Sequence, residues 1–124
     1  MSNAFETIAQ PGQCIITECW RDTAVTVSCA GELDMSTAPE LEQRITSVVL
    51  SNPTSIIVDL TPLRFLASHG IAALVAGHEL CSPTIRFAVV AQARAIHRPL
   101  QLLGITNVSP VHATLEEAIE AVAT

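Results

Sequence analysis

Residues 55–60 read Ser-Ile-Ile-Val-Asp-Leu, a run rich in β-branched side chains with no consistently polar face. A strand with one side in water alternates apolar and polar residues; one that is apolar throughout belongs in a sheet covered on both faces. Residues 85–91, Ile-Arg-Phe-Ala-Val-Val-Ala, have much the same character. Such strands require helices above and below one sheet, and the chain supplies segments with helical spacing. One carries Leu41, Ile45, Val48 and Val49, and a second carries Ile71, Leu74, Val75 and His78. Residues 93–103 form a third, which Pro99 should kink or restart before Gly104 caps it. Thr114 and Glu117 form a capping box that opens the last helix.

The N-terminal part differs. Residues 14–20 and 24–30 are β-rich runs split by the polar turn Arg21-Asp22, and Val25, Val27 and Cys29 alternate with Thr26 and Ser28. This is a half-buried hairpin, and a turn centred there places Cys14 opposite Cys29, where a disulfide is geometrically possible. A reducing compartment favours free thiols. Residues 31–35 read as a loop, after which Thr37 and Glu40 form another capping box with Pro39 in the first turn, and Asn52-Pro53 ends that helix. Phe65 and Leu66 are expected to anchor the segment after the Thr61-Pro62 turn in the core, the alternative being a partly exposed pair that extends a partner patch, and Ser68 is expected to be the N-cap of the second helix. Trp20 is expected to pack at its strand end, and residues 108–112 to run extended. The predicted order is β-β-α-β-α-β-α-β-α: an α/β fold, one domain with a mixed sheet, about four helices and a core over residues 14–122. Residues 1–11 are expected to be flexible.

The charge balance excludes whole classes of partner. The chain of 124 residues has six Arg, no Lys and twelve acidic residues, for a net charge of −6. That surface repels nucleic-acid backbones and anionic lipid, and three Phe, one Trp and no Tyr leave few platforms for stacking bases. The longest apolar run, residues 71–76, is far short of the roughly 20 residues that span a bilayer. With no early basic residue to open a secretory signal, the expected location is the cytoplasm.

Motifs for chemistry are sparse. Without Lys the chain has no P-loop, and it has no G-x-G-x-x-G. His78 and Cys81 are three apart on a helix, but no second pair matches them, so no metal and no cofactor is expected. Ser68 and His69 are adjacent and point apart, which is a poor nucleophile–base pair. Glu32 and Asp34 share a loop, where carboxylates are normally solvated. Arg94, His97 and Arg98 form one basic cluster, read as a solvated helix face unless it meets an acidic partner. Ser68 is more telling, because a helix start also suits a phosphate.

Three segments carry a resemblance: Gly31-Glu-Leu-Asp34 before a capped helix, Val58-Asp-Leu-Thr-Pro-Leu-Arg-Phe-Leu-Ala-Ser-His-Gly-Ile71, and Leu102-Leu-Gly-Ile-Thr-Asn-Val-Ser-Pro-Val-His-Ala-Thr-Leu-Glu-Glu-Ala118. Together they resemble the STAS domain of bacterial anti-sigma factor antagonists, from about Cys14 to the C-terminus. The resemblance implies a non-enzymatic regulator of transcription that binds an anti-sigma factor, a serine kinase of the ATPase type, and so frees a sigma factor. It also implies a serine phosphatase that reverses phosphorylation. The family's D-S-S-G segment reads here Ala67-Ser68-His69-Gly70, so His69 occupies the acceptor position and the carboxylate is lost. Either Ser68 accepts the phosphate instead, or the chain is not switched in this way. The expected partner surface comprises Gly31, Glu32, Leu33, Asp34, Ser68, His69 and Gly70. Alternatives are a scaffold or ligand-sensing role on the same fold, and an enzyme using Ser68 or His69.

Overall fold

The computed structural model describes residues 9–81 and 83–123. Its elements are β1 (Cys14–Arg21), β2 (Ala24–Leu33), α1 (Ala38–Val49), β3 (Ser55–Asp59), β4 (Leu63–Leu66), α2 (Ser68–Cys81), β5 (Arg86–Val90), α3 (Arg94–Leu102), a 3-10 turn (Ile105–Asn107), β6 (Val111–His112) and α4 (Leu115–Ala123). The sheet runs β1-β2-β3-β5-β6, with β1 antiparallel to β2 and the other pairs parallel. β4 also pairs with β2, taking over as neighbour beyond the point where β3 ends. This is the mixed α/β sheet with four helices that the sequence implies.

Both central strands are covered on two sides. Ile56 and Val58 of β3, with Val25, Val27 and Cys29 of β2, pack beneath Leu41 and Ile45 of α1 and Leu74 of α2. Ile57, Ala88 and Val90 face the other way, against Ala118, Leu115 and Ile119 of α4. Each fully buried Leu or Ile contributes roughly 1.5–3 kcal/mol. The α4 helix packs chiefly on β3, β5 and β6, so the β1–β2 half of that face is less covered, with Ala24, Thr26, Ser28 and Ala30 half-buried. On the opposite face, Arg44 of α1 reaches Glu18 of β1 at 3.1 Å. That pair is partly exposed and worth at most about 1 kcal/mol.

Several local expectations are corrected. β4 is a strand absent from the predicted order; it is only four residues long, with Leu63 and Leu66 buried and Arg64 and Phe65 exposed, so it shows no strand period. Residues Gly31–Leu33 belong to β2 rather than to a loop. The hairpin turns at Asp22-Thr23, where Asp22 takes φ 56°, so the register slides by two residues and Cys14 faces Gly31 while Cys29 faces Ile16. Cys14 and Cys29 are thus diagonal neighbours on one face, and both are free thiols. The α3 helix continues through Pro99. The carbonyl this leaves without a donor belongs to exposed Ala95, where water can satisfy it. Trp20 is 40% exposed and donates its indole N–H to Glu18 Oε1 at 3.1 Å.

Gly104 adopts the left-handed conformation (φ 77°) after α3, as expected. The Thr114 box holds in the main: Thr114 Oγ1 accepts the Glu117 N–H at 3.2 Å, and Glu117 Oε1 accepts from Ala113 rather than from Thr114. Of the N-terminal stretch expected to be flexible, residues 1–8 lie outside the described residues. Ala9 is buried, and its carbonyl accepts a bond from Arg64 at 3.1 Å.

Candidate functional site

At their C-terminal ends β2 and β4 lie side by side, Glu32 beside Phe65 and Leu33 beside Leu66. The chain leaves β2 into the turn that starts α1, and leaves β4 directly into α2. Ala67 N–H donates to the Leu33 carbonyl at 2.9 Å, which stitches the start of α2 to the end of β2. The sheet edge therefore brings the residue 31–37 segment and residues 67–70 together.

Asp34 organises the first segment. Its Oδ1 accepts the backbone N–H groups of Ser36 (3.0 Å) and Thr37 (3.2 Å) and the Ser36 hydroxyl (2.8 Å). Its own carbonyl accepts from Ala38, so Asp34 caps the helical turn that leads into α1. The expected Thr37–Glu40 box does not form. Thr37 Oγ1 instead donates to the Glu32 carbonyl at 2.8 Å and accepts the Asp34 N–H at 2.9 Å, inside the fold. The Ser36 hydroxyl, with the backbone donors beside it, holds the Asp34 carboxyl below the ordinary carboxylate range.

Both glycines of the expected surface are demanded by packing. Gly31 has φ 111°, and a side chain there would collide with the Gln13 carbonyl and with Ala9. A Cβ on Gly70 would sit 2.8 Å from Leu33 Cγ and 2.8 Å from Leu66 Cδ1. Gly31, Leu33 and Gly70 are all buried, which corrects their assignment to the contact surface. They shape the site, and its outer face is made by Glu32, Asp34, Ser68 and His69.

Ser68 is not the N-cap. The Ala67 carbonyl accepts from both Gly70 (3.0 Å) and Ile71 (3.2 Å), so the strand-to-helix transition falls at Ala67. Ser68 becomes the first helical residue, exposed, its hydroxyl without a hydrogen bond among the described residues. Because Ala67 has no side-chain oxygen, the N–H groups of Ser68 and His69 also have no acceptor among the described residues.

Exposed Met35 (69%) and Phe65 (52%) flank this end of the sheet. Phe65 corrects the expectation of a core anchor; Leu66 alone is buried. Met35 was not legible as a site residue, because an isolated Met in a loop has no period. Asp59 lies outside the site: its carboxylate caps the β3–β4 turn by accepting the Thr61 N–H at 3.0 Å and the Thr61 hydroxyl at 2.6 Å. His78 sits half-buried edge-on to Phe87, ring centroids 5.9 Å apart, and no group of three metal-binding side chains exists among the described residues.

A hairpin-led mixed sheet whose second and fourth strands jointly present two helix starts is the architecture of a STAS domain. The chain matches that family over residues 18–118 and belongs to it. More particularly, it is 32% identical over 115 residues to the anti-sigma-F factor antagonist RsfB of Mycobacterium tuberculosis, covering 93% of this chain and 94% of that protein. The crystal structure of an anti-sigma factor antagonist from Mycobacterium paratuberculosis superposes with a TM-score of 0.90 at 36% identity, covering 94% of this chain and all of the other. The antagonist SpoIIAA in its unphosphorylated form has the same fold, with a TM-score of 0.73 at 22% identity over 88% of this chain and 96% of that one. Among the described residues, no helix is long and apolar enough to cross a membrane.

Proposed function

We propose that the protein is a cytoplasmic, non-enzymatic anti-sigma factor antagonist. It binds a kinase-type anti-sigma factor through Glu32, Asp34, Met35, Phe65, Ser68 and His69, and so frees a sigma factor. The observation that carries this reading is the convergence of two fixed helix starts and two exposed apolar side chains at one sheet end, in a chain similar over almost its full length to RsfB. Calorimetric titration against the anti-sigma factors of the native cell tests it. The expected result is tight binding to one of them, weakened at least about tenfold in Phe65→Ala, in line with the loss of a central aromatic contact, with unfolding unchanged. No binding to any of them, or binding indifferent to Phe65→Ala and to Asp34→Ala, overturns it.

A second reading concerns control, and His69 favours it. With imidazole at the family's acceptor position, the antagonist is not governed by serine phosphorylation there; Ser68 is the one hydroxyl at the start of α2 that could take a phosphate instead. Incubation with the cognate kinase and ATP separates the two. Phosphate incorporation that disappears in Ser68→Ala assigns the switch, and its serine phosphatase, to Ser68. No incorporation into the wild type supports unswitched binding.

A further inference from the structure

At the opposite end of the sheet, one cross-strand row reads Arg21, Ala24, Ser55, Arg86, in register across β1, β2, β3 and β5. Paired residues of neighbouring strands point to the same face, so two arginines stand about 14 Å apart at the backbone, three strand spacings, with only small side chains between them. This is the face on which α4 covers β3 and β5 but leaves β2 only half-buried. A cavity of about 770 Å³ fills the gap, lined by both arginines, by Thr26 and Ser55, and by the aliphatic Ile57, Ile119 and Val122. Its size is that of small-molecule sites.

The charge distribution is unusual for this chain. Acidic residues outnumber basic ones two to one, yet among the described residues two of the six arginines line one cavity and no Asp or Glu does. The Arg21 side chain has no ion pair or hydrogen bond among the described residues. Arg86 uses Nη1 to hold the Val122 carbonyl at 3.0 Å, which fixes its guanidinium against α4 and leaves other N–H groups for a ligand. Among the described residues no aromatic side chain lines the cavity, so a nucleobase would find no stacking partner there, whereas Ile57, Ile119 and Val122 offer an aliphatic wall.

We propose that this cavity is a binding site for a small aliphatic carboxylate, its head between Arg21 and Arg86 and its hydrocarbon body against Ile57, Ile119 and Val122. The site lies at the other end of the sheet from the antagonist surface and does not depend on that function. Arginine and carboxylate form short, charge-assisted and often bidentate bonds, which supply the specificity for the head.

Octanoate is the probe, titrated into the isotope-labelled full chain and followed by amide chemical shifts, with 1-octanol and inorganic phosphate as comparisons. The expected result is saturable shifts at Ala24, Thr26, Ser55 and Ile119, with affinity at least about tenfold below wild type in Arg21→Ala, the loss of one charge-assisted contact. Arg98→Ala, on α3, should bind as wild type does. Arg86 also supports α4, so Arg86→Gln, which keeps a donor for the Val122 carbonyl, is the second variant; it should retain the wild-type spectrum and lose affinity. Absence of saturation at millimolar octanoate overturns the proposal, as does equal binding of 1-octanol, equal binding of phosphate, or binding unaffected by Arg21→Ala.

Discussion

Replacing Gly70 with Ala adds one methyl group in the first turn of α2, where its Cβ would lie 2.8 Å from Leu33 Cγ and 2.8 Å from Leu66 Cδ1. Leu33 is fully buried, and its Cγ is the branch point of the side chain, so relief requires α2 to back away from the β2–β4 edge. Overpacking of this kind costs about 1–3 kcal/mol. Against it stands the helix preference for Ala over Gly, up to about 1 kcal/mol and smaller in a first turn. The net expectation is about 1–2 kcal/mol of destabilisation. For 124 residues the specific unfolding entropy converts each kcal/mol into about 4 °C of Tm. Gly77→Ala, in the middle of the same helix, is the internal comparison. Its Cβ would meet Ile45 Cδ1 at 2.9 Å, the movable end of that side chain, and everything else at 3.4 Å or beyond. There the propensity gain offsets the crowding to within about 1 kcal/mol. Urea unfolding followed by circular dichroism, with calorimetry for Tm, measures both variants. Gly70→Ala should be the less stable and should shift the Ser68 and His69 amide resonances. If Gly70→Ala matches or exceeds Gly77→Ala in stability, the contact with Leu33 and Leu66 does not set the position of α2.

Two further outcomes follow from the titratable groups. Asp34 has its pKa lowered by Ser36 and Thr37, so its contribution is full above the unfolded-state value and is lost as pH falls through the folded one; below about pH 4 the wild type should therefore lose stability faster than Asp34→Asn, measured by urea midpoints against pH. Burial pushes the Cys81 thiol up to about 11, and the neighbouring Cys14 thiol together with burial raises Cys29 well above the ordinary thiol range. A thiol reagent at pH 8 should label exposed Cys19 at once and Cys81 only on unfolding, read by mass spectrometry; rapid labelling of Cys81 in the folded protein would contradict its burial at the C-terminal end of α2.

Strand identity was legible in the sequence because residues 55–60 and 85–91 are apolar enough to demand cover on both faces, and the helices followed from their spacing. Register was not. The hairpin slid by two residues because both Arg21-Asp22 and Asp22-Thr23 are polar enough to turn, and only the left-handed Asp22 decides between them. A slip of two keeps every side chain on its own face, so the apolar pattern is blind to it. β4 was missed for a related reason: in four residues with two exposed at the centre, no period exists to detect.

The site shows where composition and geometry part company. Ser68 and Thr37 have the right chemistry for N-caps, but Ser68 falls inside its helix, and Thr37, although it stands at the N-cap position of α1, makes no capping bond with its side chain. At α1, the Glu40 N–H goes to the Thr37 carbonyl instead of its hydroxyl, which turns inward to the Glu32 carbonyl, while the Asp34 carboxylate caps the preceding turn. At α2, the Ala67 amide is already committed to Leu33, which fixes the transition at a residue with no capping side chain. Among the described residues, that leaves a helix start with unpaired N–H groups, an unpaired hydroxyl and an exposed imidazole. A helix whose only task was structural would gain roughly 1 kcal/mol from Ser, Thr, Asp or Asn at residue 67. By this accounting Ala67→Asp should stabilise the fold while adding negative charge beside Ser68. If the open donors serve a partner, the same substitution should weaken binding to the anti-sigma factor, and a variant that gains stability without losing affinity would show that those donors serve no contact.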